Sequence, residues 1–499
     1  MSDLPPPRRT WSVGKMCLRG LGLLFAAWLM FQLWPVWLQR GPRTTVIDGP
    51  VFPHGTVDYV TALNDESSAA VTSENNAVVL LVQALGPAIF DDPGLAAAYY
   101  QKLGIDPLPV DGTYVQSLEQ LHADDRPAVT RLWDELDQAM ARPWSAAEYP
   151  DLDSWLTINT EPLKLCTAAI RRERYYDPLI RAPGGSIIEV MLPLPQACRN
   201  LTRLYGLRVM QHLHDGNLDA ALADVETIHR LSRLVGQHPL MIPRLTATAL
   251  AAMACTADGQ IVQSPLLTVE QIRRHRTFLS ELPPFAPMAD LIDHGERFLT
   301  LDLVQMQFMG PRVSIGWLQP NAFLETFNQG YDEIVAAMRE PDRASQKAAL
   351  ATFKQKWAEL AKLRWTRRGD LLINPRRGIP VQMAQTFMSL LAVTHEQAAV
   401  SEHRLHIWNQ LTQAGYALAE YRAVRGEFPE SLEQLIPDFM DRVPQDLYGN
   451  GPFQYVGDPE RNTILLYSVG ENGVDDHGLM DGPTKADDIG FGAVPKLPE

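Results

Sequence analysis

Apolar positions recur along most of this chain at intervals of three and four, the period of one helical face. Ala77, Val78, Leu80, Leu81, Ala84 and Leu85 keep that period until Gly86-Pro87 ends it. Candidate helices follow at 93–103, 114–141 and 159–174. Across 197–235 there are two stripes. Leu201, Leu204, Leu207, Val209 and Met210 make the first, and Leu218, Ala221, Leu222, Val225, Ile228 and Leu231 the second. Asp215-Gly216-Asn217 lies between them, so the segment reads as a helical hairpin. Further helices are expected at 241–262, 268–280, 287–308, 320–338 and 341–368. Thr268-Val269-Glu270-Gln271 marks one start as a capping box. Two segments depart from this period. Pro183-Gly184-Gly185 reads as a turn before a short strand or extended arm at Ile187–Leu192. A break at Asn374–Pro380 precedes a long helix over about 381–425, after which the pattern shortens into two strands and a Gly-rich loop.

From Gly20 to Leu38 no residue is charged. About 19 such residues at 1.5 Å per residue nearly cross a hydrocarbon core of about 30 Å. Trp34 and Trp37 stand at the far end, where an aromatic belt belongs. Arg8, Arg9, Lys15 and Arg19 precede the run and Arg40 and Arg43 follow it, which orients the N-terminus to the cytoplasm. A cleaved signal peptide is the alternative, with an apolar region of roughly 7–15 residues and an Ala-x-Ala-like site. Trp37-Leu38-Gln39-Arg40 is a poor match to such a site. The expected division is a cytoplasmic tail at 1–15, an anchor at 16–38, a linker at 39–70, a helical body at 71–375 and an α+β unit at 381–499. The expected class is mainly α, with a single-pass anchor in a bacterial inner membrane and the bulk of the chain outside the cytoplasm.

Length and charge narrow the function classes. At 499 residues the chain exceeds one core. Its net charge of -15 argues against nucleic acid as a partner, because binding it needs a basic surface. The four cysteines, Cys17, Cys166, Cys198 and Cys255, show no CxxC spacing, which argues against zinc. Outside the cytoplasm Cys166, Cys198 and Cys255 are free to oxidise, and Cys166–Cys198 is the expected pair. No nucleophile elbow, P-loop or HExxH occurs. Asp290, Asp293, His294 and Arg297 share one side of a helix and read as a solvated face with ion pairs. The alternative, an envelope hydrolase with a site in the helical body, would need several of His212, His294, Asp293 and Glu296 to converge on one pocket. His403 and His406 are spaced to share a metal, without a completing shell.

Chemistry is densest between Ser468 and Asp488. Glu471, Asn472, Asp475, Asp476, Asp481, Asp487 and Asp488 crowd one turn-rich segment. Carboxylates this close repel each other unless a cation neutralises them, and hard oxygen donors favour calcium. Gly470, Gly473, Gly478 and Gly482 let the backbone turn its carbonyls inward.

The order of elements here is Tyr421 to Pro429, then Leu447-Tyr448-Gly449-Asn450, then Leu466-Tyr467-Ser468-Val469-Gly470-Glu471-Asn472-Gly473, then Asp487-Asp488-Ile489. It resembles the C-terminal half of the major, G-type pseudopilin of bacterial type II secretion. The resemblance implies a long helix running into a small antiparallel sheet. It also implies a calcium site in the loop, with Asn472, Asp487 and Asp488 as ligands beside main-chain oxygens near Val469. Asp475 is a further candidate. The pseudopilin leader, with a Gly cleavage site and Glu at the fifth helical position, has no counterpart here, so processing and polymerisation as a pilin are not expected. The layout as a whole looks like large membrane-anchored proteins of planctomycete-type bacteria. The function expected is structural or interaction-based rather than catalytic. The expected partner is an envelope or secretion protein.

Overall fold

A computed structural model describes residues 13–33, 38–122, 125–182, 185, 190–309, 319–362, 373–458, 463–479 and 486–492. In chain order the helices are α1 (Val13–Leu33), α2 (Tyr59–Ser67), α3 (Ala77–Leu85), α4 (Pro93–Leu103), α5 (Arg126–Ala141), α6 (Pro150–Ala169), α7 (Leu194–His214) and α8 (Leu218–Val235). There follow α9 (Met241–Gln263), α10 (Val269–Glu281), α11 (Met288–Leu291), α12 (Arg297–Met309), α13 (Pro320–Met338), α14 (Arg343–Ala361) and α15 (Pro375–Arg425). A wide π-type turn at Ile292–Glu296 joins α11 to α12. The sheet has three antiparallel strands in the order β1 (Gln454–Asp458), β2 (Thr463–Ser468) and β3 (Ile489–Gly492). The fold is thus mainly α, with a small antiparallel sheet near the C-terminus.

Short polar side chains start these helices by accepting orphan N–H groups. Asp58 caps α2, Asp92 caps α4, Asp125 caps α5 and Asn217 caps α8. The capping box at Thr268 and Gln271 forms at α10 as the spacing predicts. Two expected ranges shift. The helix expected at 114–141 begins at Arg126, because Asp125 and Pro127 set a fresh start there. The helix expected at 159–174 runs Pro150–Ala169 and carries Pro162 inside it, where a proline reads from sequence as a stop. The Ile187–Glu189 part of the expected arm, Trp34, Trp37 and residues 363–368 lie outside the described residues.

Two clusters of buried side chains organise the packing. One gathers α3 to α9, the second half of α15 and the sheet. The other gathers α2, α11 to α14 and the first half of α15. At 1.5 Å per residue the 51-residue α15 is about 77 Å long and is common to both. Ala384, Met388 and Ala399 serve the second cluster, and Ile407, Leu411 and Tyr416 the first. The break expected at Asn374–Pro380 is not found: the helix expected from 381 starts at Pro375 after Asn374 and carries Pro380 inside it, because tertiary packing overrides the proline there. Arg422 of α15 donates to the carbonyls of Val262, Gln263 and Ser264, which are orphan acceptors at the end of α9. Gln263 pairs with both the N–H and the carbonyl of Ile464 in β2.

The sheet lies against α15 through Phe491. A Cβ on Gly415 would come within 2.0 Å of the Phe491 ring, so the helix must carry glycine there. Two strands are expected from sequence and a third is found. β3 alternates Ile489 and Phe491 with glycines, a pattern too short and too poor in β-formers to read as a strand.

The expected Cys166–Cys198 bridge is not formed. Cys166, Cys198 and Cys255 are free thiols, all buried on apolar helix faces. Burial pushes the Cys166 and Cys255 thiols up to about 12. At neutral pH they are protonated and behave as small hydrophobes.

Candidate functional site

The antiparallel pairing of β2 with β3 sets Ser468 opposite Ile489. The residues just beyond Ser468 and just before Ile489 therefore face each other, and the acidic loop closes on itself. Gly470 has φ 67°, and a Cβ on it would stand 2.2 Å from the Asp487 carbonyl oxygen. Only glycine permits that approach. The Glu471 and Asn472 N–H groups donate to Asp487 Oδ2 at 3.0 and 3.2 Å. The Gly478 and Asp476 N–H groups donate to Asp488 Oδ2 at 2.8 and 3.1 Å.

The second oxygen of each carboxylate is treated differently. Asp487 Oδ1 and Asp488 Oδ1 are both buried with no hydrogen-bond partner. Asp488 as a whole is 3% exposed. Carboxylate oxygens of Asp476, Asp487 and Asp488 all lie within 4.8 Å of one another. Burial pushes the Asp488 carboxyl up to about 6; the Gly478 N–H opposes the shift, and Asp476 and Asp475 add to it. Unpartnered buried oxygens beside like charges are costly, and a hard cation relieves both costs. The donor set, all oxygen, suits calcium rather than zinc.

Of the four expected ligands, the structure brings Asp487 and Asp488 together. Asn472 touches the cluster only through its amide, which donates to Asp476 Oδ2 at 3.1 Å, while its Oδ1 accepts from the Val474 N–H. Asp475 turns away: its Oδ1 accepts from the Tyr467 hydroxyl at 3.0 Å and from the His477 N–H at 2.8 Å. Asp476 takes the place expected of Asp475. Asp481 lies outside the described residues. Sequence reading missed Asp446, a buried carboxylate that accepts from Ser468 Oγ, the Tyr448 N–H and the Val469 N–H. It ties the Tyr448–Asn450 turn to the end of β2. Its only signal in sequence is its place just before that turn.

A second polar cluster lies in the helical body. Asp258 of α9 is fully buried. Its Oδ1 accepts from the Tyr416 hydroxyl at 2.7 Å and from His275 Nε2 at 3.1 Å, and its Oδ2 from His229 Nε2 at 2.7 Å. Burial pushes the Asp258 carboxyl up, but His229 and His275 outweigh it and hold it well below the usual range. Burial also pulls His275 down, yet Asp258 and Glu226 raise it to about 9. Burial keeps His229 neutral. Ligand atoms of His229, Cys255 and Asp258 lie within 4.8 Å of one another. They do not suit a metal, because both Asp258 oxygens are taken and the Cys255 thiol is held protonated.

The other sequence candidates have separate partners. His212 lies 3.5 Å from Asp224, and burial lowers its affinity for a proton. His294 bonds Glu66 at 2.6 Å. Asp293 pairs with Arg297 and Arg339, and Glu296 accepts from the Met241 N–H. His406 bonds Gln410, while His403 meets the Tyr448 ring edge-on. Comparison of the chain with protein-family models, with curated proteins and with solved structures finds no match.

Proposed function

We propose that the chain is a single-pass membrane protein whose helical body and sheet stand outside the cytoplasm. It acts through contact with other envelope proteins, with a calcium ion holding the C-terminal loop. The observation that carries this reading is the bare apolar surface of α1. Leu21, Leu23, Leu24, Phe25, Met30 and Phe31 are each more than half exposed, from 55% to 73%. They point to all sides of the helix, and a helix that is apolar all round needs a non-aqueous surrounding. Leaving each such side chain in water forgoes about 1.5–3 kcal/mol of burial. By contrast α9 is, among the described residues, the helix long and apolar enough to cross a bilayer, but most of it is packed in the core; the apolar stretch of α1, Gly20–Phe31, is shorter and stays bare.

The end of α1 is tied to the start of α15. Trp28 Nε1 donates to the Ile373 carbonyl at 2.7 Å, and Arg376 donates to the Phe31 carbonyl. An anchor docked in this way transmits its position to the helix shared by both cores. The calcium part of the reading rests on the orphaned Asp487 and Asp488 oxygens. It also rests on the order of a long helix, then a small antiparallel sheet, then an acidic loop, which the G-type pseudopilin resemblance predicts.

A reporter fused after Glu499 is expected to be active only outside the cytoplasm, with the chain resisting carbonate extraction from membranes. A mature protein beginning near residue 40, or a reporter active in the cytoplasm, overturns the reading.

A further inference from the structure

Helices α8, α9, α10 and α15, with the segment after α10, line a partly open cavity of about 330 Å³. That volume falls in the range of small-molecule sites. One wall is apolar, formed by Leu279, Leu282 and Phe285. Arg233 of α8 and Arg244 of α9 line it too, beside Phe285. Both guanidiniums lie over the Phe285 ring, 4.0 and 4.2 Å from its centroid. Arg244 is 1% exposed; its Nη1 donates to Thr248 Oγ1, but its Nε has no acceptor. Arg233 Nε and Nη1 are also buried without an acceptor. Neither guanidinium has an ion-pair partner among the described residues. Burial, with the second arginine beside it, pulls Arg233 down to about 10.

Two buried arginines that share one nearby counter-charge, Glu402, which acts on Arg244, keep a net positive charge the fold retains, and a planar oxyanion relieves it by bidentate bonding. A third unpartnered group lines the same cavity. His229 gives its Nε2–H to Asp258, which leaves Nδ1 as a buried acceptor with no donor. Glu402 also lines the cavity, its Oε1 accepting from the Met288 N–H. Its charge opposes a second negative charge on a ligand, and the apolar wall calls for a hydrocarbon body. Both features select a monocarboxylate over phosphate.

We propose that this cavity binds a small organic monocarboxylate bearing a hydroxyl or ammonium group. The carboxylate lies on Arg233 and Arg244, the hydrogen-bond donor meets His229 Nδ1 or Glu402, and the hydrocarbon body rests against Leu279, Leu282 and Phe285.

The test is calorimetric titration of the full-length chain in detergent with leucate, leucine, isocaproate and inorganic phosphate, each to millimolar concentration. Leucate or leucine is expected to bind. Isocaproate, which lacks the donor, should bind about tenfold more weakly, and phosphate weakest of all. Arg244→Gln and Arg233→Gln should each weaken the preferred ligand at least about tenfold. Arg233 is less buried than Arg244, so its variant keeps the test valid if the other fails to fold. A preference for leucine that is lost in Glu402→Gln, or for leucate that is kept in it, supports the proposal and identifies the donor. The proposal is overturned if no carboxylate binds cooperatively melting protein. Tighter binding of phosphate than of every carboxylate, or unchanged affinity in both arginine variants, overturns it too.

Discussion

Asp258 sits on α9 in the middle of the helical body, and Asp488 sits where the acidic loop rejoins the sheet. Both carboxylates are buried, at 0% and 3% exposed. Around Asp258 the fold places two imidazoles and a phenol, so that each oxygen is met by a donor. Around Asp488 it places two backbone N–H groups on one oxygen, and leaves the other bare beside Asp476 and Asp487. The first environment depresses the carboxyl and the second raises it. A buried charge satisfied from within holds elements together by itself. One left half satisfied, among other carboxylates, is completed only by something added.

The largest effect expected from this contrast is at Asp258. Asp258→Asn removes the charge that three donors share and leaves a protonated His275 without its main partner. Breaking a buried pair in this way costs about 3–5 kcal/mol, read as a lower denaturation midpoint of the full chain. The pH dependence has a definite sign. A depressed acid contributes above its ordinary value of 3.8 and loses that contribution as pH falls below it. A raised histidine contributes below 6.5 and loses that contribution as pH rises through about 9. The Asp258–His275 pair should therefore contribute most between about pH 4 and 6.5, while His229, which burial disfavours from taking a proton, subtracts from stability as pH falls below 6.5. A stability profile indistinguishable from that of Asp258→Asn across this range removes the first half of the comparison.

Calcium comes next. At a hundredfold excess over the dissociation constant a ligand adds about 2.7 kcal/mol, and weaker saturation gives less. The full chain should melt higher in millimolar calcium than in chelator. Asp487→Asn combined with Asp488→Asn should erase the difference, while Asp258→Asn should keep it. The intact chain is the right subject, because α15 buries Ile407, Leu411 and Tyr416 against the helical body. Equal melting of wild type in calcium and in chelator sinks the cation reading.

A smaller effect of opposite sign separates the two carboxylates further. With calcium removed, the raised carboxyl of Asp488 disfavours folding while it is ionised. Stability at the loop should then rise as pH falls from about 6 toward 3.8, where Asp258 is beginning to lose its own contribution. Saturating calcium should abolish that rise. Amide exchange of Gly478, whose N–H donates to Asp488, reports the loop alone.

The helical body was largely legible in sequence, because its period of three and four is carried by side chains that do bury. The range 93–103 coincides with α4, and the hairpin over 197–235 is α7 and α8. Pro162 and the Gly-spaced β3 were not legible, since tertiary packing there overrides local propensity. The polar network around Asp258 was invisible for a different reason. Asp258, His229, His275 and Tyr416 come from four helices, and nothing local relates them. The acidic loop stands between these cases. Its composition announced a cluster of carboxylates, yet which oxygens converge depends on a single residue of register.

That register gives the finest test. Asp475 and Asp476 are adjacent and chemically identical, but one oxygen of Asp475 is held by Tyr467 and the His477 N–H, while Asp476 joins Asp487 and Asp488. Asp476→Asn should weaken the calcium response, because it removes one of three negative donors. Asp475→Asn keeps an acceptor for the Tyr467 hydroxyl and should change stability by only about 0.5 kcal/mol, with the calcium response intact. Tyr467→Phe should act like Asp475→Asn, costing about 1 kcal/mol at most and leaving calcium affinity unchanged. Titrating the three variants with calcium while following the melting temperature ranks them. If Asp475→Asn weakens the response as much as Asp476→Asn, the loop binds its ion in the register that composition alone suggested. In that case the turn of Asp475 toward Tyr467 is not its calcium-bound state.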